Sequence, residues 1–214
     1  MHVVVAEDSL LFREGLCRLL ADHDFEVDGS AGDVDGLMEL VGRHRPAVVV
    51  SDIRMPPSFT TEGLVAAHTI RRDYPGVGVL LLSHHVETLY AMRLLEGEPH
   101  GVGYLLKDRV TDLVEFLDAV ARVGRGDVVI DPTVVSQLLK RRRAASLIEG
   151  LTVKERQVLQ LMAEGRSNSA IAASLFISDK TVETHVRSLF QRLDLLATPD
   201  DHRRVLAVLA LLKA

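Results

Sequence analysis

Three carboxylates stand where short apolar runs end: Glu7 and Asp8 after Met1–Ala6, and Asp52 after Ala47–Ser51. Runs rich in β-branched residues read as strands, and parallel strands bring their carboxyl ends to one edge of a sheet, where such folds place their sites. Three carboxylates gathered there repel one another unless a hard, oxygen-seeking cation such as magnesium lies among them. Two further strand ends supply complementary groups. Ser83 follows Val79–Leu82 and offers a hydroxyl, while Lys107 follows Tyr104–Leu106 and offers a compact ammonium. Phosphoryl transfer is catalysed mostly by positioning and charge neutralisation, and this set provides both, with Asp52 as nucleophile. Taken singly, each residue has a plainer reading: a solvated strand-end acid, a surface lysine, a capping serine. Their shared edge is what carries the chemistry.

The elements that must position these groups are legible as an alternation. His2–Ala6, Glu26–Ser30, Ala47–Ser51, Val77–Leu82 and Val102–Leu105 read as strands, and Leu10–Asp22, Val34–Arg43, Glu62–Tyr74, Val86–Glu96 and Val110–Val123 as helices. Five strands alternating with five helices predict an α/β domain over residues 1–123, a five-stranded parallel doubly wound sheet covered on both faces. Gly124, Gly126 and Pro132 then break the pattern, and residues 124–147 read as a linker with a short helix over Thr133–Arg143 that ends in the basic run Lys140–Arg143. Residues 148–214 carry no strand signal. Thr152 with Glu155 three residues on forms a capping-box signature, Gly165 stops that helix, Asn168–Leu175 forms a second, Ser178 caps a third reaching Leu193, and a fourth spans Asp201–Leu212 after Pro199. The second domain is therefore all-α, with four helices.

In the third of these helices Val182, Val186, Leu189 and Leu193 share one stripe, and Lys180, Thr184, Arg187 and Gln191 lie opposite. A helix that packs by one face and offers cations and amides by the other suits a major groove, although a plain solvated face has a similar composition. Charge is split in the matching sense. Residues 1–125 hold 12 Lys and Arg against 20 Asp and Glu, a net −8, and residues 126–214 hold 13 against 10, a net +3. The acidic part suits a cation site and the basic part a polyanion.

Apolar residues make up 47% and charged residues 26%, which excludes general disorder. The single cysteine, Cys17, forms no internal disulfide and fits a reducing cytoplasm. The N-terminal run lacks the basic start and long apolar core of a signal peptide, and no apolar stretch approaches the roughly 18 residues needed to span a bilayer. The expected location is cytoplasmic, with no membrane partner.

Glu7-Asp8, Asp52 within Ser-Asp-Ile-Arg-Met-Pro, Ser83 and Lys107 resemble the receiver domain of two-component response regulators over residues 1–123. Leu-Thr-Val-Lys-Glu-Arg-Gln-Val-Leu (151–159), Glu-Gly-Arg-Ser-Asn (164–168), Ala-Ile-Ala (170–172) and Ser-Asp-Lys-Thr-Val-Glu-Thr-His-Val (178–186) resemble the LuxR-type helix-turn-helix. In this order they are similar to NarL-type transcriptional regulators over nearly the whole chain.

The resemblance implies that Asp52 accepts phosphoryl from a sensor histidine kinase. It also implies that Asp8, Asp52 and the backbone carbonyl of Arg54 bind magnesium with Glu7 assisting through water, and that Lys107 and Ser83 hold phosphoryl oxygens while Tyr104 follows Ser83 inward as a switch. It makes Ser178–Leu193 the recognition helix for double-stranded DNA, with Lys180, Thr181, Glu183, Thr184 and Arg187 facing the duplex. The last helix, with Leu206, Leu209 and Leu212, becomes a contact in a homodimer formed on activation, against plain core packing as the alternative. Kinase choice is expected on the first helix, near Phe12, Leu16 and Leu19. Several positions depart from the pattern. The loop from Pro56 to Gly63 is long, Asp108 replaces the proline that often follows the lysine, and Glu183 stands where relatives often carry a basic residue. Arg54 and His85 are expected to flank the phosphoryl group and set its hydrolysis rate, against an ordinary solvent role. Two alternatives are a phosphorylation-independent DNA binder whose receiver only dimerises and a magnesium-dependent phosphatase. The phosphatase would want an acid two residues beyond its nucleophile, where this chain has Arg54.

Overall fold

A computed structural model describes residues 1–95, 97, 99–198 and 201–213. Contacts divide it into two compact units, Met1–Val135 and Ser136–Ala214.

The first unit is a single parallel sheet. Its strands β1 (His2–Ala6), β2 (Glu26–Ala31), β3 (Val48–Asp52), β4 (Gly78–Ser83), β5 (Val102–Leu106) and β6 (Val128–Ile130) lie in the order β2-β1-β3-β4-β5-β6. The helices α1 (Leu10–Ala21), α2 (Val34–His44), α3 (Glu62–Asp73), α4 (Thr88–Leu94) and α5 (Leu113–Gly124) form the crossovers. Helices on both faces explain why β1, β3 and β4 are continuous apolar runs and not alternating ones, with Val3, Val4, Val5, Val48, Val49, Val50 and Leu80 to Leu82 buried. Leu16 and Leu20 of α1 and Phe116, Val120 and Val123 of α5 close one face of that core. Because β1 pairs with β3 in the register Val5 to Val50 and Ala6 to Ser51, the residues that follow β1 arrive beside Asp52.

The sheet has six strands where the sequence predicts five. Val128–Ile130, inside the expected linker, pairs with β5 from Val102 to Tyr104. A strand of three residues is too short to show a period, so this edge strand becomes visible only through its pairing. Helix α4 is shorter than the expected Val86–Glu96, and the proposed end at Glu96 lies outside the described residues.

Between β3 and α3 the chain returns against the strand end. The Gly63 N–H donates to the Ile53 carbonyl at 2.9 Å, and a Cβ at position 63 would stand 1.8 Å from the Asp52 carbonyl oxygen. Only glycine allows α3 to begin this close to the Asp52 backbone. The cis peptide of this segment is Pro56–Pro57; Lys107 opens a short 3-10 turn, Lys107–Thr111.

Helix α6 (Pro132–Glu149) runs past the expected Thr133–Arg143 and leads into the second unit. There α7 (Val153–Ala163), α8 (Asn168–Leu175), α9 (Asp179–Arg192) and α10 (Arg203–Lys213) follow. Thr152 and Glu155 make the full capping box, Ser167 caps α8 through Ala170 N, and Ser178 caps α9 through Thr181 N. The core is Val158, Leu159, Met162, Ile171, Val182, Leu189, Leu193 and Ala207, flanked by Val186, Val208 and Leu211. Helix α10 was expected to follow Pro199, which lies outside the described residues.

Candidate functional site

At the carboxyl edge of the sheet, one oxygen each of Glu7, Asp8 and Asp52 lies within 4.8 Å of the others. Glu7 and Asp52 are buried and Asp8 is exposed. Lys107, itself buried, donates from Nζ to Asp52 Oδ2 at 2.7 Å and to Glu7 Oε2 at 2.8 Å. Burial alone would lower the Lys107 pKa, but the bonds to Asp52 and Glu7 outweigh it and hold the ammonium above its ordinary value. Burial raises the Glu7 pKa, against the opposing pull of Lys107. When ionised, three carboxylates against one ammonium leave a charge of −2 among oxygen donors, the complement of a small hard divalent cation. The residues present therefore fit magnesium.

The Arg54 N–H donates to Asp52 Oδ1 at 3.3 Å, while its guanidinium leaves the pocket and pairs with Glu87. Ser83 ends β4 beside the site, with its hydroxyl donating to the His85 carbonyl at 2.9 Å. That same carbonyl accepts from the Tyr104 hydroxyl at 3.0 Å, and the Glu87 N–H donates to the Tyr104 oxygen at 3.3 Å. Tyr104 is fully buried, so Ser83 and the aromatic ring two elements away converge on one backbone atom of the β4–α4 loop. Thus Glu7, Asp8, Asp52 and Lys107 are brought together, and Ser83 and Tyr104 are joined to each other through His85. The His85 ring stands 6.4 Å from that of His84.

In the second unit, Val182 and Leu189 of α9 are buried, while Lys180, Glu183, Thr184, Arg187 and Gln191 are exposed along one face. Thr181 is half-buried at the cap, its hydroxyl 2.8 Å from that of Ser178. Phe176 is 95% exposed in the turn before this helix and holds a left-handed φ of 54°. On α10, Ala207 is buried and Val208 and Leu211 face the core. Leu206 is half-buried and Leu209 and Leu212 are exposed.

Residues 3–118 match the response regulator receiver domain, and residues 149–199 match the bacterial regulatory proteins of the luxR family. The chain belongs to the NarL/LuxR-type response regulators. It is 35% identical to the transcriptional regulatory protein DegU of Brevibacillus brevis, over 91% of this chain and 88% of that protein. It is 36% identical to the probable transcriptional regulatory protein NarL of Mycobacterium tuberculosis, over 90% of this chain and 88% of that protein. The response regulator RcsB of Salmonella typhimurium shares its fold, with a TM-score of 0.62, 24% identity and full coverage of both chains. This regulator is thus a receiver domain joined to a DNA-binding domain, a transcriptional regulator and not one of the hydrolases weighed above.

Reading the sequence missed what anchors α9. Glu155 was visible as a capping residue, yet its buried carboxylate also accepts from Ser188 Oγ at 2.6 Å and Arg192 Nε at 3.1 Å. Burial opposes its ionisation, but Ser188, Thr152 and Arg192 together hold its pKa below the usual carboxylate value. A local signature gives the cap, and nothing in the spacing of residues 155, 188 and 192 announces the tertiary bonds. Among the described residues, no helix is long and apolar enough to cross a membrane.

Proposed function

We propose that this regulator is switched by transfer of a phosphoryl group to Asp52 from the phosphohistidine of a sensor histidine kinase. The observation that carries the reading is the pair of Lys107 bonds to Asp52 and Glu7, which sets a fixed cation against a nucleophilic carboxylate at a sheet edge. An Asp52 carboxylate oxygen forms the bond to phosphorus as the nitrogen–phosphorus bond of the kinase breaks. Asp8, Asp52 and the Arg54 carbonyl would hold magnesium, with Glu7 assisting through water, and the ion supplies charge neutralisation for the transferring group. Lys107 turns from Asp52 toward a phosphoryl oxygen, and Ser83 leaves the His85 carbonyl to donate to another. Tyr104 shares that carbonyl, so the loop and the aromatic switch respond together. His85 borders the group and tunes its hydrolysis, joined by Arg54 once its guanidinium leaves Glu87.

The kinase docks on α1, where Leu11 is 85% exposed and the half-buried Phe12 and Leu19 line a groove of about 350 Å³; Leu16, expected on this surface, is 2% exposed and packs in the core instead. Residues 1–123 carry the phosphoacceptor chemistry and residues 148–214 the DNA contacts, with β6 and most of α6 in the 124–147 segment between them. Phosphorylation shifts the population toward a cytoplasmic homodimer joined through Leu206 and Leu209 of α10. Two α9 helices then enter successive major grooves of one duplex, with Lys180, Thr181, Thr184 and Arg187 on phosphates or bases and Glu183 restricting sequence by accepting from cytosine. Intact mass after incubation with acetyl phosphate and magnesium tests the first step. A phosphoryl adduct on the wild type and none on Asp52→Asn is expected; an adduct on both, or on neither, would overturn the assignment.

A further inference from the structure

Asp131 lies between β6 and α6, is fully buried, and sits outside the phosphoacceptor pocket. Three contacts converge on it. Its N–H donates to the Tyr104 carbonyl at 2.8 Å, which ties it to the strand that carries the switch aromatic. Its Oδ1 accepts from Thr133 N at 2.7 Å, closing the first turn of α6. Its Oδ2 accepts from Arg109 Nε at 3.0 Å. Arg109 is two residues beyond Lys107 in the same 3-10 turn, and its guanidinium also stands 3.7 Å from Glu115 on α5.

Asp131 is fully buried, whereas the Arg109 side chain is 36% exposed, so solvent screens what the pair adds to stability. What the bond fixes is geometry, since the buried Asp131 carboxylate left without its cation is strongly unfavourable. Here the geometry fixed is the register between the turn that holds Lys107, the strand that holds Tyr104, and the first residues of the helix leading to the DNA-binding unit. A displacement of Lys107 or Tyr104 reaches Asp131 through two bonds on opposite sides, one side-chain and one backbone.

We propose that Arg109 and Asp131 are positioning residues that couple the phosphoacceptor pocket to the head of α6. The pair transmits the state of Lys107 and Tyr104 to Asp131 and the first two turns of that helix, residues 131–138. This rests on the reading of Asp52 as phosphoacceptor, and the test separates the two. Asp131→Asn keeps the size and the capping oxygen for Thr133 but removes the charge; Arg109→Gln removes the cation; Arg109→Lys restores it.

The measurement is hydrogen–deuterium exchange of residues 131–138 in the full-length chain, with and without acetyl phosphate and magnesium, beside intact mass of the same samples. The wild type is expected to change exchange in this segment at least threefold on gaining the adduct. Arg109→Gln and Asp131→Asn gain the adduct to the same extent but lose that response, and Arg109→Lys recovers part of it. A purely structural pair would raise basal exchange while leaving the ratio intact. Adducts on both variants with the wild-type ratio would therefore overturn the coupling alone, while a wild type without an adduct would overturn the Asp52 reading and the coupling with it.

Discussion

Glu155 joins the start of α7 to the end of α9, so its removal should loosen the DNA-binding unit and leave the receiver untouched. In Glu155→Ala the Thr152 N–H loses its side-chain acceptor, which costs about 1 kcal/mol as other capping losses do. The Ser188 hydroxyl loses a bond to a buried carboxylate, worth about 1.5 kcal/mol as a charge-assisted bond. Arg192 is half-exposed, and solvent reduces its share to about 0.5 kcal/mol. Together these predict a loss of about 3 kcal/mol, which for a unit of this size lowers the midpoint by about 15 °C. The chain offers its own control. It has no tryptophan, and its three tyrosines, Tyr74, Tyr90 and Tyr104, all lie in the first unit. Tyrosine fluorescence therefore reports the receiver, while far-ultraviolet circular dichroism reports both units. The variant should shift part of the dichroism transition and leave the tyrosine transition in place. Two equal shifts, or none, would refute the assignment of Glu155 as a local anchor.

Acid should act through the same residue. The folded-state pKa of Glu155 is held below its ordinary value of 4.5, so its contribution is complete above that pH and is lost as pH falls through the lowered value. The dichroism midpoint of the wild type should therefore drop more steeply below about pH 4.5 than that of Glu155→Gln, whose amide keeps the cap without titrating. Lys107→Ala removes the fixed cation beside Asp52, and mass spectrometry should show phosphoryl uptake from acetyl phosphate slowed about a hundredfold. Arg187→Ala should weaken binding to any duplex and, if the contact is to a phosphate, reduce the slope of log affinity against log salt by about 1. Leu209→Glu should abolish dimerisation of the phosphorylated chain in sedimentation while the Asp52 adduct still forms, because Leu209 is 40% exposed and lies off the core.

The carboxylate cluster was legible because strand ends in a parallel sheet are predictable from apolar runs, and Glu7, Asp52 and Lys107 each follow one directly, with Asp8 next to Glu7. Two helices of the second unit were legible from caps, since Thr152 and Ser178 write local chemistry into the chain, while the Ser167 cap of α8 emerged only with the structure. What stayed hidden depends on partners far away in sequence. The strand Val128–Ile130 is defined by β5, the Arg54 guanidinium by Glu87, and Asp131 by Arg109. Helix α10 shows the same limit: apolar residues recur along it, and only packing separates Ala207, Val208 and Leu211 from Leu209 and Leu212.

The central claim is that a phosphoryl group on Asp52 controls DNA binding. A duplex selected from random sequence by the phosphorylated protein, titrated by fluorescence anisotropy at one fixed salt concentration, tests it most directly. The wild type should bind at least tenfold more tightly with acetyl phosphate and magnesium than without, and Asp52→Asn should show no response. Equal affinity in all four conditions would contradict the account and leave the receiver without control over the recognition helix.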